Sequence, residues 1–470
     1  MHLNLSNDRE LEREPVIAEN GNRVIRNTPL PPLDFDVGDG PENTNLVPAT
    51  TLGRDLTAAL QRAGVAGEET ALLVLRINDY RKLTETLGES FGIELVQHVE
   101  ARLRDRLRIY DVAERVSDDE FAIVLGRLDK LDDVTSVASR LIESCSGGYD
   151  LGELKTRIKT AVGIALYPPD GEEPDELLRY ARVALQGADE GDRSGCHIFS
   201  RELLERQQRR VWMEAELERA LLEDRFTLHY QPQYDADSRK IVGMEALVRL
   251  RSETGELIPP DDFIPIAENN GFIVTLGQWV IREACRQLAL WREAGCGPLR
   301  MAVNVSPLQL VHEDLVHVIT EAIEASGLVY SDLELEITEQ QMLEHSTVVE
   351  KVLGELHGRG VRIAIDDFGT GYSSFVYLSR LPLNLIKMDR SFIANITTDP
   401  RAVQVATAMI VMARELGFEI ILEGVETAEQ QQFLKTSGCD FGQGFGLARP
   451  QAPDAIEKLL LEPQYLKIAG

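Results

Sequence analysis

From Phe226 onward the chain repeats one unit, a short apolar run followed by a longer helical stretch, and this repetition limits the fold more than any other feature. Strand-like runs fall at Phe226–Gln233, Ile241–Leu250, Leu299–Ser306, Leu333–Glu339, Val361–Phe368, Leu385–Asp389, Glu419–Gly424 and Phe441–Leu447, with helical segments such as Leu276–Trp291 and Ala402–Leu416 between them. About eight strands over about 250 residues are the pattern of a closed β/α barrel. Only Asp235–Lys240 joins the first two strands. A parallel crossover needs about a dozen residues or more, so that pair is expected to be antiparallel.

Polar residues recur at the carboxy ends of these runs. Asp366 and Asp367 close the run that begins at Arg362, and Gly369 and Gly371 follow at once. Neighbouring strand residues point to opposite faces, so both carboxylates serve one site only where the strand ends and the backbone turns, which the glycines permit. Glu245, Asn304, Glu336, Glu339, Lys387, Glu423 and Gln443 occupy the corresponding positions of other strands. In a barrel those ends converge on one mouth. Carboxylates and an asparagine carbonyl are the oxygen ligands that Mg²⁺ or Mn²⁺ prefers, with Asp366 placed to bridge two ions about 4 Å apart. Such a pair neutralises a phosphodiester and delivers an activated water for in-line attack. Lys387 orients that water, steadies charge on the phosphate, or forms a structural ion pair; Glu423 is a ligand or a proton acceptor.

The formal net charge of -29 argues against non-specific binding to DNA or to an anionic membrane, so a phosphate ester needs cations to approach. The five cysteines and eight histidines are scattered, which argues against zinc and against a disulfide framework and fits a reducing cytoplasm. No apolar stretch reaches the roughly 18 residues of a membrane span, and the amino terminus has no signal-peptide pattern. A cytoplasmic protein is expected. Residues 1–48 are polar and interrupted by Pro29, Pro31, Pro32 and Pro41, and read as an acidic arm that is disordered or ordered by a protein partner.

Residues 49–200 alternate helix and strand. Ala71–Leu75, Glu120–Leu125 and Lys159–Tyr167 are strand-like, Ile93–Leu107 is an amphipathic helix with Val96, Val99 and Leu103 on one face, and Glu176–Ala188 is another helix. This is a compact α/β domain. Arg201–Glu223 has neither glycine nor proline and is dense in helix formers, so it reads as a connecting helix into a second domain at 224–465. Such a helix transmits rotation better than a flexible linker; as a plain spacer it would look the same.

Glu245-Ala-Leu-Val-Arg249 resembles the signature of the EAL family of bacterial cyclic di-GMP phosphodiesterases. Tyr230–Gln233, Asn304–Ser306, Glu336–Glu339, Asp366–Ser374, Leu385–Asp389, Glu423–Glu426 and Gln443–Phe445 are similar to its other motifs, in the right order. The resemblance implies a modified (β/α)8 barrel that uses two Mg²⁺ or Mn²⁺ ions to open cyclic di-GMP to linear pGpG. It implies Glu245, Asn304, Glu336, Asp366 and Asp367 as metal ligands with Glu423 close to them, and Lys387 acting on the water. Gln231 and Arg249 would hold the dinucleotide, with Gln443 beside them, while Glu339 supports the loop after Asp367. That loop, Asp367–Ser374, would couple homodimer contacts to the metals. The one departure is Gly446, where a bulkier residue is usual and whose small size is expected to loosen the last strand. The main alternative is a receptor that holds cyclic di-GMP without cleaving it.

The amino-terminal domain resembles the GGDEF family of diguanylate cyclases in decayed form. Ser117-Asp-Asp-Glu-Phe121 stands for Gly-Gly-Asp-Glu-Phe, and Arg76-Ile-Asn78 replaces an Asp-x-Asp whose first carboxylate would bind metal. Thr84 replaces a guanine-binding asparagine, and Asp189 a lysine that would meet the triphosphate. Arg108 and Asp111 keep the spacing of the family's inhibitory site, and as an exposed surface pair they would look the same. The resemblance implies a catalytically dead regulator whose effector is GTP in the remnant cleft or cyclic di-GMP at Arg108 and Asp111.

Overall fold

Eight consecutive residues, Thr70–Ile77, form β1, and every one except Arg76 is buried, as befits a central strand covered on both faces. In the computed structural model, residues 53–126, 128, 133–151, 154–189, 195–312, 314–338, 346–369 and 381–461 are described. Around β1 lie β2 (Val112–Arg115), β3 (Glu120–Val124), β6 (Thr160–Tyr167) and β7 (Cys196–Ile198), in the order β2-β3-β1-β6-β7, with β4 (Gly147–Leu151) and β5 (Leu154–Ile158) forming a separate hairpin. β1 runs antiparallel to both its neighbours. The side chains sort by alternation. Leu73, Leu75 and Ile77 pack under helices Glu89–Arg106 and Asp133–Cys145, while Leu72 and Val74 pack under Arg54–Ala66 and Pro174–Asp189.

Helix Arg201–Leu222 follows, capped by the Ser200 side chain, which accepts from the Leu203 amide. Leu204 in its first turn packs on the α/β core, whereas Met213, Leu217 and Ala220 belong to the core of the next domain. Glu216, 1% exposed, is paired there with Arg219 and Arg225.

The strands expected from Phe226 onward are all present: β8 (Phe226–Asp235), β9 (Ile241–Arg251), β11 (Arg300–Asn304), β12 (Leu333–Thr338), β13 (Arg362–Phe368), β14 (Leu385–Met388), β15 (Glu419–Leu422) and β16 (Phe441–Gly442). The short β10 (Leu257–Ile258) adds outside β9. The ring closes through β8, antiparallel to both β9 and β16, and the other neighbours are parallel. The antiparallel first pair expected from the short Asp235–Lys240 connection is therefore present.

Alternation along these strands stacks the interior in layers. Leu335, Ile337, Ile363, Ile365, Ile386, Ile420 and Leu422 face the surrounding helices. Between them, Ala364, Leu385, Ile421 and Phe441 meet inside the barrel as a thin apolar layer. Glu336, Asp366, Lys387 and Glu423 stand at the carboxy-terminal side of that layer, and Arg300, Glu334, Arg362 and Glu419 at the amino-terminal side.

Candidate active site

The register of β13 against β14 shifts between Ile365 and Phe368, and Asp367 within the shift has φ 53°. Aspartate is among the residues that tolerate this left-handed conformation. Asp367 thus takes the turn expected of the glycines, and Gly369 continues it at φ 94°, where a Cβ would lie 2.5 Å from the Phe392 ring. The consequence is that successive carboxylates reach one site. Asp366, Asp367 and Glu423 each place an oxygen within 4.8 Å of the others.

Lys387 is the centre of the cluster. Its Nζ lies 2.8 Å from Glu336 Oε2, 2.9 Å from Glu423 Oε1, 3.2 Å from Asp366 Oδ1 and 3.6 Å from Glu245 Oε2, with only 1% of the side chain exposed. Glu245 also accepts from Asn304 Nδ2 at 2.8 Å and from Gln443 Nε2, which donates to Gln231 Oε1 at 3.1 Å as well. The Gln231 amide donates in turn to the Ala448 carbonyl.

Burial works against the Lys387 charge, but Asp366, Glu245, Glu336 and Glu423 outweigh it and hold the ammonium well above its usual range. Burial drives Glu336 well above the ordinary carboxylate range, with Glu245 adding to the effect. It also lifts Glu423 to about 8 against the pull of Lys387. Asp367 is raised by burial and by the neighbouring Asp366. Glu245 differs: burial pushes it up, but Lys387 and the Gln443 and Asn304 hydrogen bonds bring it below its ordinary value. One lysine is too little charge for five carboxylates, and Glu336 Oε1 is buried with no hydrogen-bond partner. The donor set is all oxygen and in excess of its internal cation, so it fits hard divalent ions such as Mg²⁺ or Mn²⁺.

A cavity of about 470 Å³ opens beside the cluster, walled by Arg249, Asn304, Glu336, Thr338, Asp366 and Asp367 and by Pro260, Ile264, Ile273 and Val280. Arg249 therefore faces the cavity expected to take substrate. Gln231 and Gln443 are buried against Glu245 and are not among its walls. Glu339 and residues 370–374 lie outside the described residues, as do residues 1–48. Thr338 is a wall residue the sequence reading passed over, although period-two alternation from Glu334 and Glu336 points it inward. Pro260 and Ile264 carried no such signal, because they lie on a helix beyond a strand end. Gly446 corrects an expectation: a Cβ there would sit 2.3 Å from the Glu426 carbonyl oxygen, and its amide donates to Val425 O at 2.9 Å. Its small size closes the turn onto the Glu423–Glu426 segment rather than loosening it.

In the amino-terminal domain, Arg76 sits opposite Glu120 in the β1–β3 register, and Arg182 Nε lies 2.9 Å from Glu120 Oε2. Arg115 donates to the Ser117 and Asp118 carbonyls, folding the turn back on itself, and Thr84 Oγ1 donates to Arg81 O. The Asp189 side chain lies outside the described residues. Asp111 accepts from the amides of Arg108 and Gly126, and with Arg106, Arg108 and Arg140 it borders a cavity of about 480 Å³. No helix among the described residues is long and apolar enough to cross a membrane.

The EAL domain profile matches residues 214–450, and the profile described as diguanylate cyclase, GGDEF domain, matches residues 42–194. Over 417 residues, 89% of this chain and 53% of the relative, the sequence is 37% identical to cyclic di-GMP phosphodiesterase NbdA of Pseudomonas aeruginosa. It is 35% identical over 401 residues, 85% of this chain and 58% of the relative, to the bifunctional diguanylate cyclase/cyclic di-GMP phosphodiesterase MucR of the same organism. The chain thus spans a little over half the length of these curated relatives. Among solved structures, a PaMucR phosphodiesterase in complex with c-di-GMP shares 40% identity, covers 52% of this chain and 99% of its own, and superimposes with a TM-score of 0.50.

Proposed function

This chain belongs to the EAL family, with a GGDEF domain preceding the barrel, and from that membership we propose that the barrel hydrolyses cyclic di-GMP to linear pGpG with two Mg²⁺ or Mn²⁺ ions. The observation that carries the reading is Lys387, buried within 3.6 Å of four carboxylates at the carboxy-terminal mouth of a β/α barrel. Glu245, Asn304, Glu336, Asp366, Asp367 and Glu423 would hold the ions. When bound, those ions neutralise the phosphodiester and acidify the attacking water.

The chain's own groups do the rest. Arg249 holds a phosphate or base edge at the cavity wall. Gln443 and Asn304 fix both Glu245 oxygens, so that ligand does not rotate, and Gln231 buttresses Gln443. Lys387 donates to the water from a rigid position, and Glu423, once ionised, receives its proton. Attack at phosphorus breaks the bond to the 3′ oxygen, which takes up the proton that Glu423 received and leaves as a hydroxyl. One guanosine keeps the phosphate on its 5′ oxygen.

The GGDEF domain is proposed as a dead regulator. Of its motif carboxylates, Glu120 is neutralised by Arg182, and Arg76 stands where the resemblance calls for a metal ligand. The cavity beside Arg108 and Asp111 supports cyclic di-GMP as effector; GTP in the remnant cleft is the other candidate. The barrel is proposed to pair as a homodimer, and residues 1–48 to engage a protein partner. Pure protein incubated with cyclic di-GMP and Mn²⁺, followed by chromatography, tests the activity. Linear pGpG is expected, absent in excess chelator and absent for Glu245→Ala. Nucleotide retained intact by the wild-type protein would instead make it a receptor.

A further inference from the structure

The amino-terminal end of the barrel interior carries a second charged network. Arg362 Nε lies 3.1 Å from Glu334 Oε2, its Nη2 pairs with Glu419 Oε2, and Arg300 Nη1 reaches the same Glu419 oxygen at 3.4 Å. The Arg300 guanidinium also stacks on Phe441, 4.3 Å from the ring centroid. Glu334 is fully buried and Arg300 and Arg362 expose less than a fifth of their side chains, while Glu419, which both arginines share, is 41% exposed at the open end of the network. Glu334 Oε1 and two Arg300 nitrogens are buried with no hydrogen-bond partner. Burying such groups costs solvation, and an ion pair of this kind stabilises a fold little compared with apolar packing. Stability alone is therefore a poor reason to find the network in a barrel core.

Its placement supplies a better one. Each member lies on a strand that carries, or runs directly into, a residue of the candidate active site: Arg300 precedes Asn304 on β11, Glu334 precedes Glu336 on β12, Arg362 precedes Asp366 on β13, and Glu419 on β15 precedes Glu423, the residue after that strand. The separations are four residues, or two for Glu334, which correspond to about 13 Å and about 7 Å along a strand. Ladder hydrogen bonds fix only adjacent strands. Arg362 pairs with its register neighbour Glu334 on β12 and also reaches past β14 to Glu419 on β15, and Arg300 ties β11 to β15 across the barrel interior. Lys387 makes comparable ties from β14 at the other end, to β9, β12, β13 and the segment after β15. Between the two networks lies the apolar layer of Ala364, Leu385, Ile421 and Phe441.

We propose that Arg300, Glu334, Arg362 and Glu419 are positioning residues for the hydrolysis, fixing the cross-barrel spacing of β11, β12, β13 and β15 and hence of Asn304, Glu336, Asp366 and Glu423. The inference rests on the phosphodiesterase reading of that mouth. A ligand set opposed by its own repulsion spreads unless the strands beneath it are held, and spreading weakens divalent-ion binding before it unfolds the barrel.

The test uses the full-length protein carrying Glu419→Gln or Arg362→Lys, with Glu216→Gln as a control that removes a buried ion pair belonging to neither interior network. Mn²⁺ affinity is measured by calorimetry after chelator treatment, together with Tm in chelator and kcat and KM for cyclic di-GMP. Glu419→Gln should weaken Mn²⁺ binding about tenfold, the lower range seen when outer-shell supports of metal ligands are removed. Its kcat should fall with little change in KM. Arg362→Lys, which keeps the charge but not the fork, should fall between. Glu216→Gln should lower Tm at least as much and leave Mn²⁺ affinity unchanged. Mn²⁺ affinity within about twofold of wild type in both base variants would overturn the proposal, whatever their Tm, because a positioning role requires the larger loss. A wild-type protein that binds no Mn²⁺ would overturn the phosphodiesterase reading and this inference together. Wild-type hydrolysis with unaffected variants would overturn this inference alone.

Discussion

Lys387 Nζ and Glu336 Oε2 lie 2.8 Å apart, and both side chains are at most 1% exposed. A buried pair of this kind is costly to make and more costly to break, because either partner alone is an uncompensated charge. Lys387→Ala should lower kcat by a factor of about 100 or more, since it removes both the water's donor and charge beside the phosphate. It should also lower Tm in chelator, with Mn²⁺ restoring part of the loss. Single-turnover hydrolysis and thermal melts with and without Mn²⁺ check both outcomes. A variant with wild-type kcat would remove Lys387 from the chemistry.

Metal loading should release protons. Glu336 and Asp367 are raised, and Glu423 lies at about 8, so near pH 7 part of the cluster is protonated before an ion binds. Ligating carboxylates must be ionised. Mn²⁺ affinity should therefore rise as pH increases from 6 to 8 and level off above the Glu423 value of about 8. Calorimetric titrations in two buffers of different ionisation enthalpy count the protons, and equal apparent enthalpies would contradict the expectation.

Glu216 makes the junction between the connecting helix and the barrel sensitive to acid. Burial pushes its carboxyl up, but Arg225 and Arg219 outweigh that and leave it below the ordinary value of 4.5. A depressed carboxyl contributes stability above its unfolded pKa and loses it as pH falls through the folded one. Melts from pH 7 to pH 3 should show that loss in the wild type, below about 4.5, and a weaker slope for Glu216→Gln. At pH 7 the substitution should cost about 2 kcal/mol, below the full cost of breaking a buried pair because Arg219 is half exposed.

The GGDEF domain should make no cyclic di-GMP. Arg182 neutralises Glu120, and Arg76 stands opposite it, so the metal that synthesis needs meets positive charge. Purified Glu245→Ala protein, unable to consume product, should yield no cyclic dinucleotide from GTP and Mg²⁺. Arg76→Asp alone should not rescue it, since metal and phosphate groups act as a unit. Product from either protein would reverse the assignment.

Barrel closure, the antiparallel entry of β8 and the identity of the mouth residues were legible in the sequence, because strand alternation and connection length are local properties. Apolar runs ending in Glu245, Asn304, Glu336, Asp366, Lys387 and Glu423 needed only the rule that strand ends converge. What tertiary structure decided is distance across the ring. The strand pattern puts Gln443 at the mouth and the resemblance gives Gln231 a contact with the dinucleotide, but neither says that the two are stacked behind Glu245 instead of facing the cavity. It marks Gly446 as unusual, yet only the approach of the Glu426 carbonyl reveals why a larger side chain has no room there. The pairing of Arg300 and Arg362 with Glu419 joins positions that are 119 and 57 residues apart. No local pattern encodes that contact, because it depends on how many strands close the ring and on which of them stand opposite one another.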